Sequence, residues 1–165
     1  MPTAASECFD GGVLLAAPKK RRIPENAVLT IRSSQRSDNE TDTTELNTTA
    51  QYLYRGGKAK IIYTELDEQG EPSGKTAITV LDERLVTIRK TGFTEAVMVL
   101  ETGKTHPARY NTMLGAMEMR LCATEITSAL HQDGGSLRLR YLLDIGESYS
   151  ASNLIDLQVT LRTEG

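Results

Sequence analysis

The chain has no tryptophan and only two phenylalanines, so its aromatic side chains are mainly six tyrosines. That excludes a core organised around large stacked rings and leaves aliphatic packing to hold the fold. Cysteine is almost as scarce, with only Cys8 and Cys122. Cys8 falls in an N-terminal segment expected to lie outside the folded domain, so a disulfide framework is excluded and a reducing, cytoplasmic setting is expected. Two histidines, His106 and His131, with no cysteine or aspartate cluster beside them, argue against a metal centre. No apolar run reaches the length of a membrane span, so no membrane partner is expected. The short run Val13-Leu14-Leu15-Ala16-Ala17 precedes the basic cluster Lys19-Lys20-Arg21-Arg22, the reverse of a secretory signal. A formal net charge of −3 provides no broad basic field, and a DNA partner is therefore not expected. No glycine-rich phosphate loop, nucleophile elbow or acyl-transfer triad is visible, so neither cofactor nor enzymatic activity is expected.

What is present is a composition suited to one globular domain. The 165 residues are 39% hydrophobic and 25% charged, enough to bury a core without staples. Residues 1–25 read as a flexible tail of small residues, Gly11-Gly12, Pro18, the basic run and Pro24. The basic run has two readings, a solvated tail or a contact for a polyanion. Residues 26–165 read as one domain.

Within that domain the hydrophobic pattern has period two. Val28/Thr30/Arg32 alternates with Leu29/Ile31 across residues 27–36, and residues 37–42 read as a polar turn. A second strand runs from Leu46 to Tyr54, and Gly56-Gly57 suits a tight hairpin into a third at residues 58–66. Residues 76–81, 85–90, 96–101 and 105–112 follow as strands, with Pro107 marking an edge, bulge or kink in the last of them. Met117, Met119, Leu121 and Ala123 share one face, but after Glu125 the apolar positions move by one, to Ile126. Such a shift predicts a β-bulge near Glu125. Asp133-Gly134 is a strong hairpin signal into Leu137/Leu139/Tyr141/Leu143, and Ile155/Leu157/Val159/Leu161 closes the series. No segment carries a helical stripe. The prediction is all-β: an antiparallel up-and-down meander of about eight to ten strands, closed into a calycin- or lipocalin-like barrel.

Three stretches carry a resemblance: Lys60-Ile61-Ile62-Tyr63-Thr64-Glu65, Gly74-Lys75-Thr76-Ala77-Ile78-Thr79-Val80 and Val86-Thr87-Ile88-Arg89-Lys90-Thr91-Gly92. It continues through Val97 to Gly103, Tyr110 to Gly115 and Met117-Glu118-Met119. In the order and spacing of these strands and turns the chain resembles the YwiB-like bacterial proteins of unknown function. The resemblance implies a calycin-like barrel and implies no activity.

Candidate sites divide into two groups. The presumed inward set of Met98, Met117, Met119, Leu121, Leu139, Tyr141 and Leu157 fits an ordinary core or a lumen for one small apolar ligand. Tyr63, Arg89 and Tyr110 would then place polar groups at its mouth. The second group is Glu101, His106 and Arg109, with Asn111 and Thr112 close in sequence, read either as an acid–base or anion site or as a solvated strand. Cys122, beside Arg120, reads as an inert thiol. The expected functions are small-ligand binding or, as the alternative, a non-catalytic interaction module meeting protein or RNA; a homodimer is compatible with either.

Overall fold

The computed structural model describes residues 25–147 and 149–162. Cys8 and the basic run Lys19–Arg22 lie outside the described residues. Ten strands follow one another: β1 (Ala27–Ser37), β2 (Glu40–Arg55), β3 (Lys58–Leu66), β4 (Pro72–Leu81), β5 (Leu85–Gly92), β6 (Glu95–Glu101), β7 (Thr105–Thr112), β8 (Gly115–Ser128), β9 (Gly134–Ile145) and β10 (Tyr149–Leu161). Each pairs antiparallel with its neighbours in the chain, and β10 returns to β1, so the meander is a closed ten-stranded barrel. No helix occurs among the described residues, and none is long and apolar enough to cross a membrane.

Residues directly opposite each other in antiparallel strands point to the same side of the sheet. The pairings Ile31↔Leu157, Leu157↔Leu137, Ile61↔Ile78 and Ile88↔Met98 therefore gather one apolar face of every strand inward. Leu29, Ile61, Val86, Leu100, Leu121, Leu137, Leu139 and Val159 are fully buried there. Met98 and Met119 belong to this continuous cluster, so the middle of the barrel is packed side chains. At roughly 2–5 kcal/mol for truncating each large aliphatic residue to alanine, this cluster dominates the stability of the fold.

The expected bulge lies between Ala123 and Glu125, where the β8–β9 register shifts and Thr124 is the additional residue. The shift explains the changed apolar parity: Ala123 and Ile126 both face inward, opposite Tyr141 and Leu139. Elsewhere polarity misled the reading. The polar turn is shorter than residues 37–42: Ser37 pairs with Glu40 across a two-residue turn at Asp38-Asn39, with Asp38 at φ 55°. β2 therefore starts at Glu40, not Leu46, because threonines suit a solvated hairpin as well as a turn.

Two ladders of the wall are incomplete. β2 pairs with β1 along its whole upper length but with β3 only from Gln51↔Ile62 to Arg55↔Lys58. β6 pairs with β7 only at Glu95↔Asn111 and Ala96↔Tyr110. Pro107, which has no N–H to donate, sits where β7 has lost that neighbour.

Candidate functional site

The inward faces turn polar toward the end of the barrel that carries the β3–β4 and β5–β6 connections. On β3 the series Ala59, Ile61, Tyr63 ends in Glu65; on β4 Val80 and Ile78 lead to Thr76; on β5 Val86 and Ile88 lead to Lys90. Registers Tyr63↔Thr76 and Thr76↔Lys90 place these groups side by side. The Lys90 ammonium donates to Glu65 Oε2 at 3.0 Å and to Thr76 Oγ1 at 3.3 Å, while the Thr76 hydroxyl donates to the same carboxylate oxygen. Thr76 is 1% exposed, and the Lys90 side chain 18%.

The electrostatics follow from this closure. Burial opposes the charge on Lys90, but Glu65 and the tyrosines Tyr63 and Tyr110 outweigh it and hold the ammonium pKa above its ordinary value. Burial likewise works against the Glu65 carboxylate, and the Thr76 and Lys90 hydrogen bonds overcome it, leaving that pKa below the ordinary value. Burial raises the Tyr63 hydroxyl, partly countered by Lys90. Tyr141 is pushed up to about 12, mainly by burial and further by Tyr110 close by. Opposite Tyr141 on β10, the Asn153 Nδ2 is buried without a hydrogen-bond partner among the described residues.

A cavity of about 80 Å³ opens here, lined by Glu65, Ser73, Gly74, Lys90, Phe93 and Tyr110 among others. Gly74, which lines it, packs closely against Gly92. Gly74 and Gly92 are paired, and a Cβ on Gly92 would lie 2.5 Å from both the Gly74 Cα and the Ser73 carbonyl oxygen. Phe93 lines the cavity and is exposed, and Leu66, Met113 and Leu114 are exposed on other turns or strand ends at this end of the barrel.

The sequence-predicted residues are distributed unevenly around this mouth. Tyr63, Tyr110 and Tyr141 face inward near it, and Met117, opposite Tyr110, is inward-facing and partly exposed. Met98 and Met119 are core residues. Arg89 is not at the mouth: it pairs with Ala77 and Val97 on the outer face and is exposed, because it is one position out of phase with Ile88 and Lys90. Glu101 and His106 do meet, with Nε2 to Oε1 at 3.0 Å, where the β6–β7 ladder has opened. Arg109 does not join them; it is exposed opposite Glu118 on the outer face. Cys122 is half-buried, with Sγ 3.9 Å from the Ala123 carbonyl oxygen.

Lys90, Glu65, Thr76 and Asn153 escaped the sequence reading. Their inward parity was visible in the alternation Ile61/Tyr63/Glu65 and Ile88/Lys90, but polar residues at strand ends ordinarily face water. On the outer wall, a shallow concavity of about 520 Å³ carries Arg32, Glu125, Arg138 and Asp156. Its charges are already neutralised as Arg32–Glu45, Arg138–Asp156 and Arg140–Glu125 pairs, which leaves no spare charge to hold a ligand. No cluster able to hold a metal occurs among the described residues.

The fold resembles the crystal structure of the ywiB protein from Bacillus subtilis, with a TM-score of 0.73 and 21% sequence identity over 84% of this chain and 93% of that one. A protein of unknown function from Bacteroides ovatus aligns with a TM-score of 0.32 and 9% identity over 84% of this chain and 41% of that one. No curated protein matches the chain. The family described as "Domain of unknown function (DUF1934)" matches residues 29–157, most of the barrel, and the chain belongs to that family.

Proposed function

We propose that this protein is a non-catalytic binding protein whose barrel mouth holds a small amphipathic molecule. The observation that carries the reading is the inward Lys90–Glu65 pair at the end of an otherwise apolar interior. A half-buried ion pair is poor evidence of a stabilising device, since apolar residues of similar volume usually do as well. The unpartnered Asn153 amide is a second local cost. Polar groups retained at such cost at one end of a core are typical of places where a structure serves function ahead of stability.

The donors that line the cavity are the Lys90 ammonium and the Tyr110 hydroxyl, with Tyr141 near Tyr110 and the Asn153 amide opposite Tyr141. They suit a ligand with acceptor oxygens, and the exposed Phe93 beside the cavity suits an apolar portion lying on the rim. The packed middle of the barrel directs the ligand to the mouth and not to a deep lumen. Met98 and Met119 then support the site from below, whereas Tyr63, Tyr110, Met117 and Tyr141 border it. Native mass spectrometry on freshly purified protein tests this reading. A retained small molecule, lost in Lys90→Met and in Asn153→Leu, is the expected result; retention unchanged in both variants would overturn it.

A further inference from the structure

The incomplete β2–β3 ladder leaves a slot between the two strands that is unpaired among the described residues, and its backbone polarity can be worked out. The two-residue turn at Asp38-Asn39 makes Ser37 and Glu40 a hydrogen-bonded pair. Even-numbered residues of upper β2 therefore direct their N–H and C=O toward β1. The hairpin at Gly56-Gly57 leads to the same parity from the other side, because Arg55 pairs with Lys58 and Gln51 with Ile62. The Asn26 side chain, bonded to both Tyr52 N and Tyr52 O, agrees with it. Thr41, Thr43, Glu45, Asn47 and Thr49 consequently turn their backbone donors and acceptors to the opposite edge, where no strand pairs with them among the described residues. Every residue from Glu40 to Asn47 is exposed. Across the slot, β3 continues past Ile62 with Tyr63 and Thr64 paired to β4 alone.

We infer that this slot accepts an extended basic peptide as an added strand between β2 and β3. A row of regularly spaced backbone groups is a template for a strand. Charge selects the occupant. Glu40 and Asp42 on upper β2 and Asp67, Glu68 and Glu71 after β3 make this side acidic, and β2 has no lysine or arginine before Arg55; Glu45 and Glu65 are already paired with Arg32 and Lys90. A second copy pairing β2 with β2 would set these acidic residues against one another. Leu46, inward by register with Ile31 yet exposed, offers an apolar contact to alternate side chains of the added strand. The occupant is thus an extended segment alternating basic and apolar residues.

The test uses the full chain and a capped, fluorescent peptide of about nine residues alternating lysine and valine, a typical strand length or slightly more. A second peptide has glutamate for lysine. Fluorescence anisotropy should show saturable, salt-sensitive binding of the lysine peptide and none of the glutamate peptide. Amide exchange should slow at Thr41, Thr43, Glu45 and Asn47 when the lysine peptide is added. Thr43→Pro removes an N–H that faces the slot and not β1, so it should weaken binding at least tenfold while the melting temperature stays nearly unchanged; if it unfolds the protein, the exchange pattern of the wild type still decides. Equal binding of both peptides, or no slowing on those amides, would overturn the inference. Binding that appears only after removal of residues 1–24 would overturn it in favour of the protein's own N-terminal segment, and a dimer indifferent to either peptide would overturn it in favour of a second copy.

Discussion

Lys90 and Glu65 meet inside the barrel wall at 3.0 Å, two strands apart, with Thr76 between them bonded to both. The shared hydroxyl makes the three side chains one unit, so removing any member exposes the charge or dipole of the others.

Lys90→Met should lower stability at neutral pH by about 1–2 kcal/mol, below the value for a fully buried pair because Glu65 remains about one-third exposed. The pH dependence has a definite sign. Glu65 has a lowered pKa, so its contribution is present above the unfolded carboxylate value and is lost as pH falls through the lowered folded one. Lys90 has a raised pKa, so its contribution is present below the unfolded lysine value and is lost as pH rises through the raised folded one. Urea unfolding across acidic pH should show a shallower acid limb in the variant, its stability deficit against the wild type shrinking as Glu65 becomes protonated.

Asn153→Leu should be neutral or stabilising by about 1 kcal/mol, because it removes a buried amide nitrogen that finds no partner. Thermal unfolding checks the direction. A clear loss of stability would mean that the amide is satisfied in solution.

Alkaline titration should divide the tyrosines. Tyr52 is 3% exposed, donates its hydroxyl to the His131 carbonyl oxygen at 2.7 Å, and is pushed up to about 12 by burial and by Tyr54. Tyr141 reaches about 12 as well, and Tyr63 is raised. A raised folded pKa preserves stability below the unfolded value of about 10 and loses it as pH climbs toward 12. Tyrosinate absorbance should therefore lag for these three groups until the barrel opens, and Tyr52→Phe should unfold more readily at neutral pH through the lost hydrogen bond.

Gly92→Ala should destabilise the mouth strongly, by about 2 kcal/mol or more. The added Cβ would press on the Gly74 Cα and the Ser73 carbonyl oxygen at 2.5 Å, and Gly92 holds φ 109°, which a side chain resists. Gly70→Ala, which meets nothing within 4 Å but has φ 81°, provides the comparison for strain without a clash. A larger loss of stability for Gly92→Ala than for Gly70→Ala, by chemical denaturation, is the expected outcome.

Strand identity was legible in the residues themselves. Period-two alternation is a local property, and short turns such as Gly56-Gly57 and the Asp133-Gly134 region carry their own backbone requirements. Even the bulge at Thr124 left a mark, because moving one residue out of register changes which positions are apolar. The inward parity of Tyr63, Tyr110 and Tyr141 was legible for the same reason. Arg89 does not reach the mouth because its position is out of phase with the inward Ile88 and Lys90.

The all-β character, the meander and the bulge were determined by sequence alone, through spacing and turn chemistry. The register in which β10 meets β1, the two openings in the wall and the meeting of Glu65, Thr76, Lys90 and Tyr110 were decided only in three dimensions. Pairing between strands distant in sequence sets the tilt and register of a barrel. Alternation says which face a lysine occupies, but only the closed register decides whether the end of that face lies in water or against a carboxylate two strands away.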